Sequence, residues 1–247
     1  MKPMHKILPA CILAAAVTAC GTGVRAPEHY YVLDPGPVTV SAPHARHAVA
    51  KAATTLLVAP TTADGFYDAQ AIVYSTSSGM RAYYQLNHWT EPPGRQLGAL
   101  LAERLRGSGA FDAVAAATDG VRGTLVLDTH LDEIYHDAST SPGSARISLT
   151  VTLSDPSRRA VASQRHFIAS APAPTPDAAG AVQAFDAALG PLLDEVVAWA
   201  GQTAAQSRAT TIAQPRPRPG EPAGDAPVVA GRREPLDDVP NVATRLP

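Results

Sequence analysis

The stretch Arg146-Ile147-Ser148-Leu149-Thr150-Val151-Thr152-Leu153 has the strictest apolar–polar alternation in the chain. A period of two places the apolar side chains on one side of a β-strand and the hydroxyl side chains on the other. The turn residues Asp155-Pro156-Ser157-Arg158 follow it, and a second β-rich run, 161–168, comes directly after that turn. This order predicts a hairpin with one buried face and one solvated face.

Further strand-like runs precede this hairpin, and most of them are bounded by proline, glycine or serine. They are residues 30–33, 55–59, 71–75, 82–88, 111–116 and 124–134. The runs 71–75 and 82–88 flank Ser77-Ser78-Gly79, so they are predicted to form a second hairpin.

Two segments have helical periodicity. The first follows Pro92-Pro93-Gly94 and places four leucines on one face, namely Leu97, Leu100, Leu101 and Leu105. The second is predicted to span Asp177–Ala204, with an apolar stripe of Val182, Phe185, Leu189, Leu192, Leu193 and Val196. Because Gly190-Pro191 lies inside it, we expect a kink near Ala187 or two abutting helices. The whole pattern predicts the α+β class, as a two-layer α/β sandwich of a mostly antiparallel sheet and two main helices.

The N-terminal segment is typical of a bacterial lipoprotein signal. Basic residues precede an apolar run, and the run ends in the lipobox Val17-Thr18-Ala19-Cys20. The run 7–17 covers roughly 11 residues, against the ~20 that a helix needs to cross a bilayer. We therefore expect residues 1–19 to be a cleaved signal peptide and Cys20 to be the lipidated N-terminus, carrying acyl chains such as palmitate. The rival Cys11 follows Leu8-Pro9-Ala10 and would leave almost no apolar run before it.

Composition divides the remaining chain. Residues 20–27 are expected to be the lipidated N-terminus and spacer, 28–205 a single domain, and 206–247 a disordered tail rich in proline and arginine. The residue after Cys20 is Gly21 rather than aspartate, which favours the periplasmic face of the outer membrane. The net charge of -2 shows no basic excess, so nucleic acid is not an expected partner.

The sequence contains no recognisable catalytic or nucleotide-binding motif, and we expect no cofactor and no enzymatic activity. The strongest polar cluster closes a predicted strand and comprises His130, Asp132, Glu133, His136 and Asp137. On a strand His130 and Asp132 share a face and could ligate zinc, or the cluster could be an ordinary solvated strand end. We expect the latter and no metal site, and the loop residues His44 and His47 suggest no specific chemistry.

Aromatic residues concentrate in one predicted hairpin and its approach, although the chain is only 5% aromatic. They are Tyr67, Tyr74, Tyr83, Tyr84 and Trp89. Two interpretations stay open: they fill the core, as we expect for Tyr74 and Trp89, or they form an exposed surface for lipid chains or a partner protein. Tyr67, Tyr74, Tyr83 and Trp89 are therefore the candidate core or partner residues.

Several motifs together resemble the ABC-type transport auxiliary lipoproteins, the PqiC-like group. They are Phe66-Tyr67-Asp68, Ile72-Val73-Tyr74, His88-Trp89, the helix of Leu97–Leu105 and the closing run from Phe185 to Trp199. The opening Tyr30-Tyr31-Val32-Leu33 soon after a lipidated cysteine is also similar. The chain departs from the family pattern at Ser75, where members often carry arginine, and at Asp68, where leucine is frequent.

The resemblance implies a non-catalytic role at the outer membrane. Members work with an MCE-domain protein or ABC transporter subunits of the inner membrane to move lipids or other hydrophobic molecules, and some form homo-oligomeric rings. ATP hydrolysis would belong to the partner. Two alternatives remain at this point: an outer-membrane assembly lipoprotein that partners a β-barrel, and a lipid-anchored hydrolase that uses His130 and Asp132.

Overall fold

The computed structural model describes residues 26–36 and 54–213. Cys20, His44, His47 and the greater part of the predicted tail lie outside these residues. The strands are β1 (His29–Tyr31), β2 (Thr55–Val58), β3 (Thr62–Ala63), β4 (Ala71–Ser75), β5 (Ala82–Trp89), β6 (Ala113–Ala116), β7 (Leu125–Asp137), β8 (Ser144–Asp155) and β9 (Ala160–Pro172). The helices are α1 (Pro93–Gly107) and α2 (Ala178–Ala213), with a 3₁₀ turn at Ala117–Asp119.

The nine strands form one sheet built around β7. On one side β7, β8 and β9 form an antiparallel meander, so the hairpin predicted from the alternating stretch is present. On the other side β2, β3 and β4 lie one after another along β7, and all three run parallel to it. β6 pairs with β2, while β5 and then β1 continue the sheet beyond β4.

The α+β class and the two-layer arrangement are confirmed, but the sheet is mixed rather than mostly antiparallel. Five strand pairs are parallel, namely β1–β5, β2–β6, β2–β7, β3–β7 and β4–β7. The physical reason is that the chain from β2 to β4 runs along one edge of β7 in a single direction and pairs with it at three successive places. Such pairing between distant parts of the chain leaves no local pattern in the sequence.

Both helices cover one face of the sheet and bury the leucine-rich stripes that the sequence predicted. Leu97, Leu101 and Leu105 of α1 are fully buried, as are Phe185 and Leu193 of α2. Burying one such side chain contributes roughly 1.5–3 kcal/mol, so these contacts dominate the joining of the two layers. α1 begins with proline in its first turn, where the missing N–H has no helical partner to lose.

α2 is one continuous helix, so the alternative of two abutting helices was wrong, and the kink near Ala187 stays a prediction. Pro191 lies inside it, and both Pro191 and Ala187, the residue one turn earlier, are exposed. The Ala187 carbonyl, which proline leaves without a helical donor, therefore belongs to an exposed residue, where water can satisfy it.

The helix also extends to Ala213, beyond residue 205 where we placed the end of the domain. Residues 205–213 contain no proline or glycine, and Pro215 is the first residue that disfavours continuing the helix. Ala204 is the last buried residue of the helix up to residue 209, so residues 205–209 lie beyond the core.

Candidate functional site

The face of the sheet opposite the helices carries the polar and aromatic side chains that could act on other molecules. Along β7 and β8 the residues that alternate with the buried leucines and isoleucines point to this face. We call it the uncovered face. Three groups lie on it: an aromatic pair, a set of contacts around Arg81, and a polar network around Asp132.

The aromatic pair consists of Phe66 and Tyr83. Their rings stack with centroids 4.5 Å apart and planes inclined by 13°, and each residue is 39% exposed. The Tyr83 hydroxyl also donates a hydrogen bond to the Phe66 carbonyl oxygen at 3.2 Å. Offset stacking and this hydrogen bond hold two large side chains in place at the surface, which is typical of an anchor for a partner protein.

Arg81 links the neighbouring side chains. Its Nε donates to the Tyr67 hydroxyl at 3.0 Å, and its Nη2 donates to Glu133 Oε1 at 2.9 Å. The guanidinium carbon also lies 3.8 Å from the centre of the Tyr135 ring, within cation–π distance. Burial raises the pKa of Tyr67 above its usual value, against the opposing influence of the Arg81 charge. The sequence pattern gave no signal for Arg81, because its three partners come from distant segments.

The four candidate aromatic residues divide between core and surface. Trp89 is 1% exposed and its ring packs against Phe185 at 5.7 Å, while Tyr67 is also buried. Tyr74 is half-buried, so it belongs to neither group fully. Tyr83 is the member of the set that is exposed. The core interpretation thus describes Trp89 and Tyr67, and the surface interpretation describes Tyr83.

The fifth aromatic residue, Tyr84, takes part in a buried contact with His136. The Tyr84 hydroxyl and His136 Nδ1 are 2.7 Å apart, and His136 Nε2 lies 3.0 Å from the Pro142 carbonyl oxygen. Because that carbonyl can only accept, Nε2 carries the hydrogen and Nδ1 accepts from the tyrosine. Burial raises the pKa of Tyr84 to about 12, so the hydroxyl keeps its proton. Gly143 is required beside this contact, since a Cβ there would lie 2.4 Å from His136 Nε2.

The predicted acidic and histidine cluster is not brought together as a metal site. Within residues 26–36 and 54–213 no group of three or more histidine, cysteine, aspartate or glutamate side chains is placed to hold a metal ion. His130 instead contacts Thr62 Oγ1 at 2.8 Å and Asp64 Oδ1 at 3.1 Å. Asp137 accepts hydrogen bonds from Ser139, which lower the pKa of its carboxyl.

Asp132 is the centre of a polar network that sequence reasoning did not find. Ser148 Oγ lies 2.6 Å from His166 Nε2 and 3.3 Å from Asp132 Oδ2, and Thr150 Oγ1 donates to Asp132 at 3.0 Å. These residue types are those of a hydrolase triad, but the connections differ. In a triad the carboxylate holds the histidine nitrogen opposite the serine, whereas here Asp132 lies 3.5 Å from the same Nε2 that faces Ser148. The carboxylate therefore does not orient the ring as a general base.

A groove of about 430 Å³ lies between α1 and the chain that follows β2. Its floor includes the small residues Gly98, Ala99 and Ala102, and Arg95 and Arg106 line it as well. α1 approaches the chain after β2 closely here, because a Cβ at Gly98 would lie 2.7 Å from Thr61 Oγ1. None of the helices in the described part of the chain is long and apolar enough to cross a membrane.

Solved protein structures resemble this chain to different degrees. No curated protein sequence matches the chain. Among solved structures, protein XCC0632 from Xanthomonas campestris is 26% identical with a TM-score of 0.59, over 66% of this chain and 93% of that one. The PelC dodecamer from Paraburkholderia phytofirmans is 13% identical with a TM-score of 0.35, over 67% of this chain and 89% of its own.

The sequence model of one family matches residues 31–197, which is most of the domain and includes α1, the whole meander and the buried part of α2 up to Val197. Its description is ABC-type transport auxiliary lipoprotein component. This match confirms the resemblance inferred from the aromatic and leucine motifs. The chain belongs to the ABC-type transport auxiliary lipoprotein component family.

Proposed function

We propose that this protein is an outer-membrane-anchored periplasmic lipoprotein and the non-catalytic auxiliary component of an ABC and MCE-type system that moves lipids or other hydrophobic molecules. The observation that carries the proposal is the match to the family over residues 31–197, preceded by a lipobox that ends at Cys20. Several long acyl chains on one N-terminus anchor a protein essentially irreversibly, at about 0.8 kcal/mol per buried CH₂.

The contacts of the polar residues support a non-catalytic role. The side chains of His130, His136 and His166 are each engaged within the domain, by Asp64, Tyr84 and Ser148 respectively. A hydrolase that used His130 and Asp132 would need these two groups to meet at a reacting atom. His130 instead faces Thr62 and Asp64, whereas Asp132 faces Ser148 and Thr150, so the two belong to separate sets of contacts.

The Phe66–Tyr83 pair is the surface on which we place the partner contact. Both rings are exposed and fixed, so docking a partner over them costs little side-chain entropy. A stable complex needs a broad interface of at least ~1,000 Å², so the pair would be the centre of a larger contact on the uncovered face.

A pull-down from detergent-solubilised membranes tests the proposal. The wild-type lipoprotein should recover an MCE-domain or permease protein. Tyr83→Ser should reduce this recovery, and Val121→Ser, which changes another exposed apolar residue (49% exposed) in the loop before β7, should not. Recovery of a β-barrel protein alone would support the assembly-lipoprotein alternative. Esterase activity that is lost in His130→Ala or His166→Ala would contradict the non-catalytic role.

The lipid anchor has its own test. Cys20→Ala should leave an uncleaved precursor that no longer incorporates labelled palmitate, and inhibition of signal peptidase II should give the same precursor in the wild type. Cys11→Ala is the matched control and should be labelled normally. Continued labelling of Cys20→Ala would place the anchor elsewhere.

A further inference from the structure

The segment between the predicted anchor and the domain is short. Six peptide bonds separate Cys20 from Ala26, the first residue that the structure describes. An extended chain spans at most about 3.6 Å per residue, so Ala26 lies within about 22 Å of an acylated Cys20. A domain on so short a connection keeps one end close to the bilayer.

The position of Ala26 identifies that end. Ala26 lines a cleft of about 380 Å³ together with His29, Leu86 and Asp177. Asp177 immediately precedes α2, so the chain leaves the anchor beside the N-terminus of the long helix. The turn between β7 and β8 lies at the same end of the sheet, because the Ala173 N–H donates to the Gly143 carbonyl at 3.0 Å just before α2 begins.

One exposed apolar side chain, Leu86, lines this cleft, and one exposed aromatic side chain, Tyr30, follows His29 of the lining. Tyr30 is 59% exposed and Leu86 is 37% exposed, and they lie on paired strands. The ring of Tyr30 packs beside His88 with centroids 5.5 Å apart, and its hydroxyl donates to Glu28 at 3.0 Å. Tyrosine, which combines an apolar ring with a polar hydroxyl, is a residue type that membrane–water interfaces enrich.

We propose that the anchor-proximal surface, defined by Ala26, Tyr30 and Leu86, lies against the phospholipid surface. The inference rests on the acylation of Cys20 put forward under the proposed function, and it adds a fixed orientation to that anchor. The short connection between Cys20 and Ala26 brings the lipid surface within reach of these side chains. Burying Leu86 and the Tyr30 ring in the headgroup region also removes apolar area from water.

Single cysteines provide the test, because the mature lipidated chain has no free thiol: Cys11 leaves with the signal peptide and Cys20 is acylated. We would label Leu86→Cys and Val161→Cys with the fluorophore NBD. Both positions are exposed and apolar. Val161 pairs with Ser154 beside the β8–β9 turn, at the opposite end of the meander from Gly143. The variants are reconstituted as lipoproteins in phosphatidylethanolamine–phosphatidylglycerol vesicles, and cooperative unfolding confirms that each is folded.

NBD at position 86 should gain intensity, shift to shorter emission wavelength and be quenched by lipids that carry a nitroxide near the headgroup. NBD at position 161 should show none of these changes. Failure of both variants to co-sediment with vesicles would refute the acyl anchor itself. Co-sedimentation with equal signals at the two positions would refute the orientation alone. A change at position 86 that nitroxide lipids do not quench would assign the surface to a second copy of the chain and also refute the proposal.

Discussion

Arg104 joins three parts of the domain, and its replacement is the sharpest test of how the segment after β1 is fixed. The side chain is 4% exposed and extends from α1. It forms an ion pair with Asp194 and donates to the Gly190 carbonyl at 3.2 Å, both on α2. It also donates to the carbonyls of Pro35 and Gly36 at 3.3 and 3.4 Å, in the segment after β1.

We expect Arg104→Leu to lower the free energy of unfolding by about 3 kcal/mol, because the charged hydrogen bonds to α2 are worth roughly 1.5–3 kcal/mol each while the longer bonds add little. Asp194 is 40% exposed and stays hydrated after the change, which keeps the cost below that of stranding a fully buried charge. In a domain of this size, 3 kcal/mol corresponds to a fall in Tm of roughly 6–12 °C. Leucine keeps most of the apolar contacts that the arginine stem makes, so the loss of unfolding free energy measures the contribution of the guanidinium group.

The assay combines chemical denaturation with hydrogen exchange of the backbone amides of residues 33 and 34. Arg104→Lys should recover only part of the stability. Lysine keeps the positive charge, but its single ammonium group cannot reach the acceptors on both segments as the planar guanidinium does. Arg106→Leu, an exposed neighbour on the same helix, should change stability by no more than about 0.5 kcal/mol. A loss below about 1 kcal/mol in Arg104→Leu, with unchanged amide protection, would contradict the stabilising role assigned to Arg104.

Trp89→Ala should cost about 3–5 kcal/mol in chemical denaturation, because it empties a buried site against Phe185; near-wild-type stability would contradict the core assignment. Burial and the nearby Asp34 charge raise the pKa of Asp186 from 3.8 to about 6. The folded state therefore binds this proton more tightly than the unfolded chain does. The resulting stabilisation is complete below pH ~3.8 and is lost as the pH rises through 6. Asp186→Asn should therefore be more stable than wild type by about 1 kcal/mol at pH 7.5, after discounting for its partial exposure, and equal to it near pH 4 in thermal scans. Deleting 214–247 should leave Tm unchanged, and a fall of several degrees would show that this segment packs on the domain.

The sequence predicted the parts of the fold that depend on local periodicity. The alternation of β8 and the leucine spacing of α1 each fix which side chains are buried, and both match the structure. The parallel pairing of β2, β3 and β4 with β7 could not be predicted in this way, since it depends on the paths of the connections. The network of Asp132, Ser148 and His166 was missed for the same reason, because it arises from the register of three strands.

The hairpin of β4 and β5 shows how a bulge interrupts the alternation of buried and exposed side chains along a strand. Tyr83 and Trp89 are both odd-numbered positions of one strand, so strict alternation would place them on the same face. The pairing of β4 with β5 changes register between Ala71 and Val73, which is the mark of a bulge. Tyr83 consequently lies exposed on the uncovered face while Trp89 fills the core. No residue in the sequence indicates this bulge. The core and surface interpretations of the aromatic residues could therefore not be separated without the structure.

The course of α2 has a consequence for how the anchor and the C-terminal segment relate. The helix begins beside the cleft that holds Ala26 and continues for 36 residues, about 54 Å at 1.5 Å per residue. Near its far end Gly201 packs on Ala110, close to where α1 meets β6, so the helix has crossed the domain. The connection to Cys20 and the segment 214–247 therefore leave from opposite ends. With Cys20 as the proposed anchor, the end of the domain that carries Ala26 faces the lipid surface and the end that carries Ala213 points away from it.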